Sequence, residues 1–324
     1  MAGVVGLGGG IGASRLWRAL VPALPAAELT LVVNTADDVW MHALRVCPDL
    51  DTTLYTLAGR HDPDRGWGVL DESFRTMDAL RGLGHDVWFN LGDLDLATHL
   101  FRTELLSAGV GLAEVTRRLA GALGVATTVL PMSENEVATR VRTAALGPLH
   151  YQEFLVRHGA GPAVLDVDYP GLSRATAAPG VIEAIGDADI IVLAPSNPVA
   201  SIMPILGLRG VQEALRTSAS TVIAVSPMVM AVPITDSGEA LRARSRAALL
   251  RSCGVEPSPV GVAGLYRDLC HRFVLDIADA LQADAIRALG LDVAIVPTLL
   301  HVGAPATGVL DAIIGDRIRD PLTT

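Results

Sequence analysis

The chain has 324 residues, half of them hydrophobic, with only four Trp, four Tyr and five Phe. That length buries a large core and accommodates either two domains or one elaborated α/β sheet. Thirty-five acidic against 25 basic residues give a net charge of −10 with no compensating Lys/Arg cluster, which argues against nucleic acid and anionic membranes as partners.

In chain order, residues 2–7 are expected to form a first strand, 14–22 a helix and 29–34 a second strand, followed by core strands at 126–130, 189–194, 220–226 and 292–297. Short Val/Ile/Leu runs alternating with helical patterns predict βαβ units, hence an α/β doubly wound, mostly parallel sheet buried on both faces. The stretch 51–123 reads as a mainly helical insertion, clearest at 96–109 and 112–123, while 136–143 and 150–157 alternate like the two strands of a small antiparallel hairpin. No repeat, low-complexity tract or linker divides the chain, so residues 1–324 are read as one domain. Cys47, Cys253 and Cys270 are too scattered for a disulfide framework or a zinc site, the start lacks a basic signal-peptide region, and the apolar stretch 189–208 is broken by Pro, Ser and Asn. A cytoplasmic location is the expectation.

Four segments carry chemistry. "GLGGGIGASR", 6–15, lies between the first strand and first helix, where Gly8, Gly9, Gly10 and Gly12 let backbone N–H groups approach a phosphate and Arg15 adds a charge. A tight turn without a ligand is the alternative, disfavoured because consecutive glycines cost backbone entropy. A nicotinamide dehydrogenase would need an acidic residue closing the second strand, where this chain has Asn34. Next come Asp37, Asp38, Asp49 and Asp51, at the carboxyl end of the sheet where open α/β folds bind ligands. Carboxylates beside a glycine loop suit a hard cation such as Mg²⁺ and phosphorus chemistry; turn and cap duty is the alternative for any single one. In "NLGDLDLATHL", 90–100, Asp93 and Asp95 sit at a helix start, a capping pair or a substrate contact. "APSNPVASI", 194–202, and "VSPM", 225–228, each end a strand, so Ser196, Asn197 and Ser226 read as walls of one cleft. Trp40, Trp67 and Trp88 suit stacking on a flat heterocycle, although burial is the commoner fate. His61, His85, His150, His158, His271 and His301 have no partner at metal-ligand spacing.

Taken in order, "GGGIG..R", "NTADDVW", "CPDLDTTLYTL", "DPDRGWG", "LGDLDLATHL", "LPMSENEVATRV", "YQEFLVR", "DADIIVLAPSNPVASI" and "VSPM" resemble the 2-phospho-L-lactate transferase family, CofD in archaea and FbiA in actinobacteria, over roughly residues 4–275. The resemblance implies a Rossmann-like fold that moves a phosphorylated three-carbon acid from a guanosine-diphosphate-activated donor to the ribityl hydroxyl of the deazaflavin Fo. GMP is released, Mg²⁺ is required, and the product is a precursor of coenzyme F-420. It further implies that Asp37 and Asp49 hold Mg²⁺, that Asp51 and Asn90 lie where the family contacts Fo, and that the donor nucleotide rests on the glycine loop, Ser196, Asn197 and Ser226; Asp93 stays a candidate substrate contact. Asp37 or Asp51 is then the candidate for orienting or deprotonating the hydroxyl.

Two departures bear on the donor's acid, which is left open among phospholactate, phosphoenolpyruvate and phosphoglycerate. Leu94 stands where the family usually has Arg, and the segment after Met228 is longer and reads as helical. Its Arg242, Arg244 and Arg246 are read as a solvated face, the other reading being that they supply the missing cation. The competing function is a regulatory nucleotide-sugar-binding protein of the gluconeogenesis-factor type, which shares the glycine loop and Asp pair but follows them with a Gly/Ser-rich stretch rather than "VWMHALRVCPDLD". An apolar C-terminal half leads to the expectation of a homodimer.

Overall fold

The computed structural model describes residues 3–300 and 306–318; His301 lies outside them. Among the described residues, twelve strands form three sheets: β1 Gly3–Gly8, β2 Leu29–Val33, β3 Val39–Met41, β4 Leu44–Val46, β5 Thr128–Pro131, β6 Arg140–Thr143, β7 Gly147–His150, β8 Val164–Asp168, β9 Ala188–Leu193, β10 Thr221–Val225, β11 Arg272–Asp276 and β12 Asp292–Val296. Seven of them make one sheet in the order β12-β11-β10-β9-β1-β2-β5, with every pairing parallel. Successive side chains enter opposite layers: Val5, Leu7, Val32, Ile191 and Leu193 pack into one core, and Val4, Leu31, Val33, Val192 and Ile223 into the other. Burial on both faces explains why these strands read as continuous apolar runs.

Helix α1, Gly10–Leu20, buries Ala13, Leu16, Trp17 and Leu20, a stripe with helical period. Between β4 and β5 run α2 Pro48–Leu57, α3 Arg75–Gly82, α4 Asp93–Ser107 and α5 Leu112–Ala122; α6 Val181–Asp187, α7 Met203–Leu206 and α8 Val211–Thr217 follow, then α9 Ser237–Ser252. Among the described residues, no helix is long and apolar enough to cross a membrane.

Three elements differ from expectation. The small antiparallel sheet pairs β6 with β7 and β8, whereas 150–157 is not a strand: His150 ends β7 and Glu153–Arg157 forms a π-helical turn. Tyr151 and Phe154, both buried, are three apart, a spacing that puts them on one face of a helical turn, whereas a strand would send them to opposite faces. The β3–β4 hairpin turns through His42 and Ala43, both at positive φ (50° and 61°), so its tight turn lacks the usual Asn-Gly or Asp-Gly signal. Strand β11 begins and ends on charged residues, Arg272 and Asp276, and leaves only three apolar residues between them, too few to stand out by pattern.

Strand order reverses at β1, which has β2 on one side and β9 on the other. The crevice beyond the carboxyl ends of these strands is where such sheets bind ligands, and the loops after β1, β2, β9 and β10 all converge there.

Candidate active site

A cavity of about 670 Å³ occupies this crevice. One wall is the glycine loop: Gly9, Gly10, Ile11, Gly12 and Arg15 line it, while Gly8 ends the strand beneath. Glycine is required by close approach at two positions. A Cβ on Gly9 would collide with the Asp49 carboxylate, and one on Gly12 with the Pro195 carbonyl oxygen. The loop is tied to the end of β9 through Ser196, whose Oγ accepts from Gly9 N (3.0 Å) and donates to Gly9 O (2.9 Å).

The four clustered aspartates separate by partner. Asp37 and Asp49 line the cavity. Asp49, in the first turn of α2, accepts from Asn34 Nδ2 at 2.9 Å, and Asn34 Oδ1 accepts from Ala36 N at 3.0 Å, which fixes the turn that presents Asp37. Burial, then the charges of Asp49 and Asp38, hold the Asp37 carboxyl well above the usual carboxylate range. Burial likewise pushes Asp49 up to about 7, against the pull of its Asn34 hydrogen bond. Asp37 Oδ1 is buried with no hydrogen-bond partner. Two adjacent carboxylates on the cavity wall, one with an orphaned oxygen, fit a hard divalent cation that takes a couple of carboxylates and leaves its other positions to water and phosphate.

Asp38 instead meets Arg45 Nη2 at 3.2 Å; burial raises its carboxyl to about 6, with Arg45 opposing. Asp51 does not reach the cavity lining. It is 4 % exposed and held by both Nη atoms of Arg102, which itself is 1 % exposed and also donates to Arg45 O at 3.2 Å. His99 Nδ1 lies 3.2 Å from Arg102 Nη1, His99 Nε2 lies 3.2 Å from Asp95 Oδ1, and Tyr55 OH donates to Asp95 at 2.8 Å. Asp51, Asp95 and His99 are close enough together to suggest a metal site, yet Arg102 already occupies both oxygens of Asp51. Because Asp51 sits one turn into α2 with Asp49, this buried network positions the helix whose first turn faces the cavity. Sequence spacing cannot reveal it, since Asp51 and Arg102 are 51 residues apart.

Asp93 also stays outside the lining. It is exposed and caps its own helix region, accepting from Ser73 N and Ser73 Oγ at 2.9 and 2.8 Å and from Leu94 N at 2.9 Å. Leu94 is 48 % exposed and likewise absent from the lining. Asn90 does line the cavity, with its Oδ1 accepting from Arg81 Nη2 at 2.9 Å. Ser196, Asn197 and Ser226 line it too, although part of their bonding capacity shapes their own turns: Asn197 Oδ1 accepts from Val199 N and Ala200 N at 3.1 Å, and Ser226 Oγ donates to Met228 O at 2.9 Å.

Further wall residues include two of the three tryptophans read as stacking candidates. Trp67, Trp88 and Phe89, with Leu155 and Val156, supply an aromatic and aliphatic side, whereas Trp40 is 52 % exposed, donates to Glu136 and stays outside. Tyr151 enters from just before the π-helical turn, its OH accepting from Asn197 Nδ2 at 3.3 Å. Arg242 and Arg246 of α9 line the cavity rather than forming a solvated face; Arg244, on the opposite side, donates to Gly159 O at 3.1 Å. The reason is helical period, since residues four apart share a face and those two apart do not.

The family model for 2-phospho-L-lactate transferase CofD matches residues 4–285. A 2-phospho-L-lactate transferase of Methanosarcina barkeri is 36% identical over 307 residues, 95% of this chain and 96% of that protein. A phosphoenolpyruvate transferase of Mycolicibacterium smegmatis is 40% identical over 279 residues, 84% of this chain and 83% of its own length, and one of Streptomyces griseus is 38% identical over 302 residues, 92% of each. Among solved structures, a member of the UPF0052 family from Bacillus halodurans aligns with a TM-score of 0.57 at 20% identity, over 91% of this chain and 92% of that one, a likeness of fold.

Proposed function

The chain belongs to the 2-phospho-L-lactate transferase CofD family, and from that premise we propose that it moves a phosphorylated three-carbon acid from a guanosine-diphosphate-linked donor to the ribityl hydroxyl of the deazaflavin Fo, with release of GMP. At the coarser level, it is a transferase of phospholactate or phosphoenolpyruvate in coenzyme F-420 biosynthesis. The observation that carries the finer reading is one cavity joining three surfaces: a glycine loop at a helix start, the Asp37–Asp49 pair, and an apolar wall of Trp67, Trp88 and Phe89. The first suits a diphosphate, the second a cation and the third a flat heterocycle.

In this reading the acceptor hydroxyl oxygen forms a bond to the phosphorus that bears the acid, the bond from that phosphorus to the GMP oxygen breaks, and the hydroxyl proton leaves to a carboxylate or water. Backbone N–H groups at Gly10–Gly12 would hold the diphosphate, the Gly9 N–H being already donated to Ser196 Oγ. Asp37 and Asp49 would hold Mg²⁺, which supplies neutralisation of the charge that builds on the leaving phosphate. Asp37, facing the cavity, is better placed than Asp51 to orient the hydroxyl, because the Asp51 oxygens are engaged by Arg102. Asn90 and the apolar wall position the ring, so rate comes from alignment and electrostatics.

The test is mass spectrometry of Fo incubated with purified protein, Mg²⁺ and guanosine-diphosphate donors carrying lactate, enolpyruvate or glycerate. A mass gain on Fo with equimolar GMP supports the reading and identifies the acid, and Asp37→Ala or Asp49→Ala should abolish it in folded protein. Tight nucleotide binding without product from any donor would favour the regulatory alternative.

A further inference from the structure

The transferase reading leaves one feature of the cavity unused. On its α9 side, Arg15, Arg242 and Arg246 converge on a single carboxylate, Glu239, at 3.3, 3.0 and 3.7 Å, with Asp236 3.7 Å from Arg242. All five residues line the cavity. Three guanidinium groups thus face two carboxylates, and the Asp236 side chain is 68% exposed and already caps α9 by accepting from Glu239 N. The innermost cation is Arg246: its side chain is 12% exposed, its Nε is buried with no hydrogen-bond partner, and its contact to Glu239 is too long for a hydrogen bond. A buried guanidinium left with free donors is costly unless something supplies an acceptor, and its planar fork matches a carboxylate or phosphate.

We propose that Arg246, assisted by Arg242, is a specificity-determining residue that binds an oxyanion of the donor, the carboxylate of its acid or an oxygen of its diphosphate. The inference rests on the transferase reading for the identity of the donor. Glu239 sets the spacing: it holds Arg15 and Arg242 on one oxygen and leaves Arg246 loosely engaged, free to turn its fork toward a ligand.

Equilibrium binding by calorimetry tests this without requiring turnover. The ligands are guanosine diphosphate esterified to lactate, GDP and GMP; the proteins are the wild type, Arg246→Gln, Arg242→Gln, Arg246→Lys and the distant Arg216→Gln as control. Arg246→Gln is expected to weaken the intact donor at least tenfold and Arg242→Gln less, with GMP and the control unchanged and Arg246→Lys recovering only part. GDP weakened in parallel assigns the contact to the diphosphate; GDP unaffected assigns it to the carboxylate. Donor and GDP affinities within twofold of wild type in both Gln variants would overturn the proposal. Should Arg246→Gln not fold, Arg246→Lys carries the test, since it keeps the charge and loses the fork. A wild type that binds the donor but never turns it over removes the transferase reading and leaves the arginine result standing; one that binds neither donor nor GDP removes both.

Discussion

Replacing Asp49 with Asn removes a charge that the fold buries beside Asp37 while nearly preserving the side chain's shape. Burial raises the Asp49 carboxyl from its ordinary 3.8 to about 7. At pH below both values the group is protonated in folded and unfolded chains alike and contributes nothing. As pH rises from about 4 toward 7, the unfolded chain ionises first, so the metal-free wild type loses stability across that window and stays weakened above it. A pKa difference of about 3 corresponds to about 4 kcal/mol at pH 8. That value already includes the pull of the Asn34 hydrogen bond, so Asp49→Asn is expected to be stabilised at pH 8 by up to that amount. The assay is urea unfolding of metal-free protein at pH 4 and pH 8, repeated with Mg²⁺. Expected is a variant that is inactive, more stable than wild type at pH 8, similar to it near pH 4 and indifferent to Mg²⁺, whereas Mg²⁺ stabilises the wild type. A variant destabilised at pH 8, or one that Mg²⁺ stabilises as much as the wild type, would refute both the electrostatic argument and the metal assignment.

Arg102→Met strands the Asp51 charge in the interior and should cost about 3–5 kcal/mol in chemical denaturation; adding Asp51→Leu should recover most of that loss. Failure of the double variant to improve on the single one would mean that packing, not charge, holds α2. Gly12→Ala drives a Cβ into the Pro195 carbonyl oxygen, so the 194–197 loop must shift; donor KM should rise about tenfold or more with circular dichroism unchanged. For Asp95, burial opposes ionisation, yet the His99 and Tyr55 hydrogen bonds and the Arg102 charge hold its carboxyl below the usual range. Its contribution is therefore full above about pH 4 and lost as pH falls through the folded value. Asp95→Asn should flatten that acid limb in a pH-stability series, and an unchanged limb would contradict the network.

The parallel sheet was legible in the sequence because strands buried on both faces must be apolar throughout, a constraint local to each run. The glycine loop, Asp37 and the Ser196–Asn197 and Ser226 turns meet at one cavity because each lies immediately after a strand of the parallel sheet, whereas Asp49 reaches it from the first turn of α2 and Asn90 from the loop before α4. What pattern could not supply was pairing across distance. Four aspartates within residues 37–51 look alike in sequence, and only the arrival of Arg45 and Arg102 separates the two that neutralise a structural cation from the two that face the cavity. The His42–Ala43 turn hid a hairpin because its positive φ is imposed by the surrounding strands rather than by residue type. Whether Arg242 and Arg246 meet solvent or substrate depends on how α9 is rotated against the sheet, and that rotation is set by tertiary packing, which no period within the helix records.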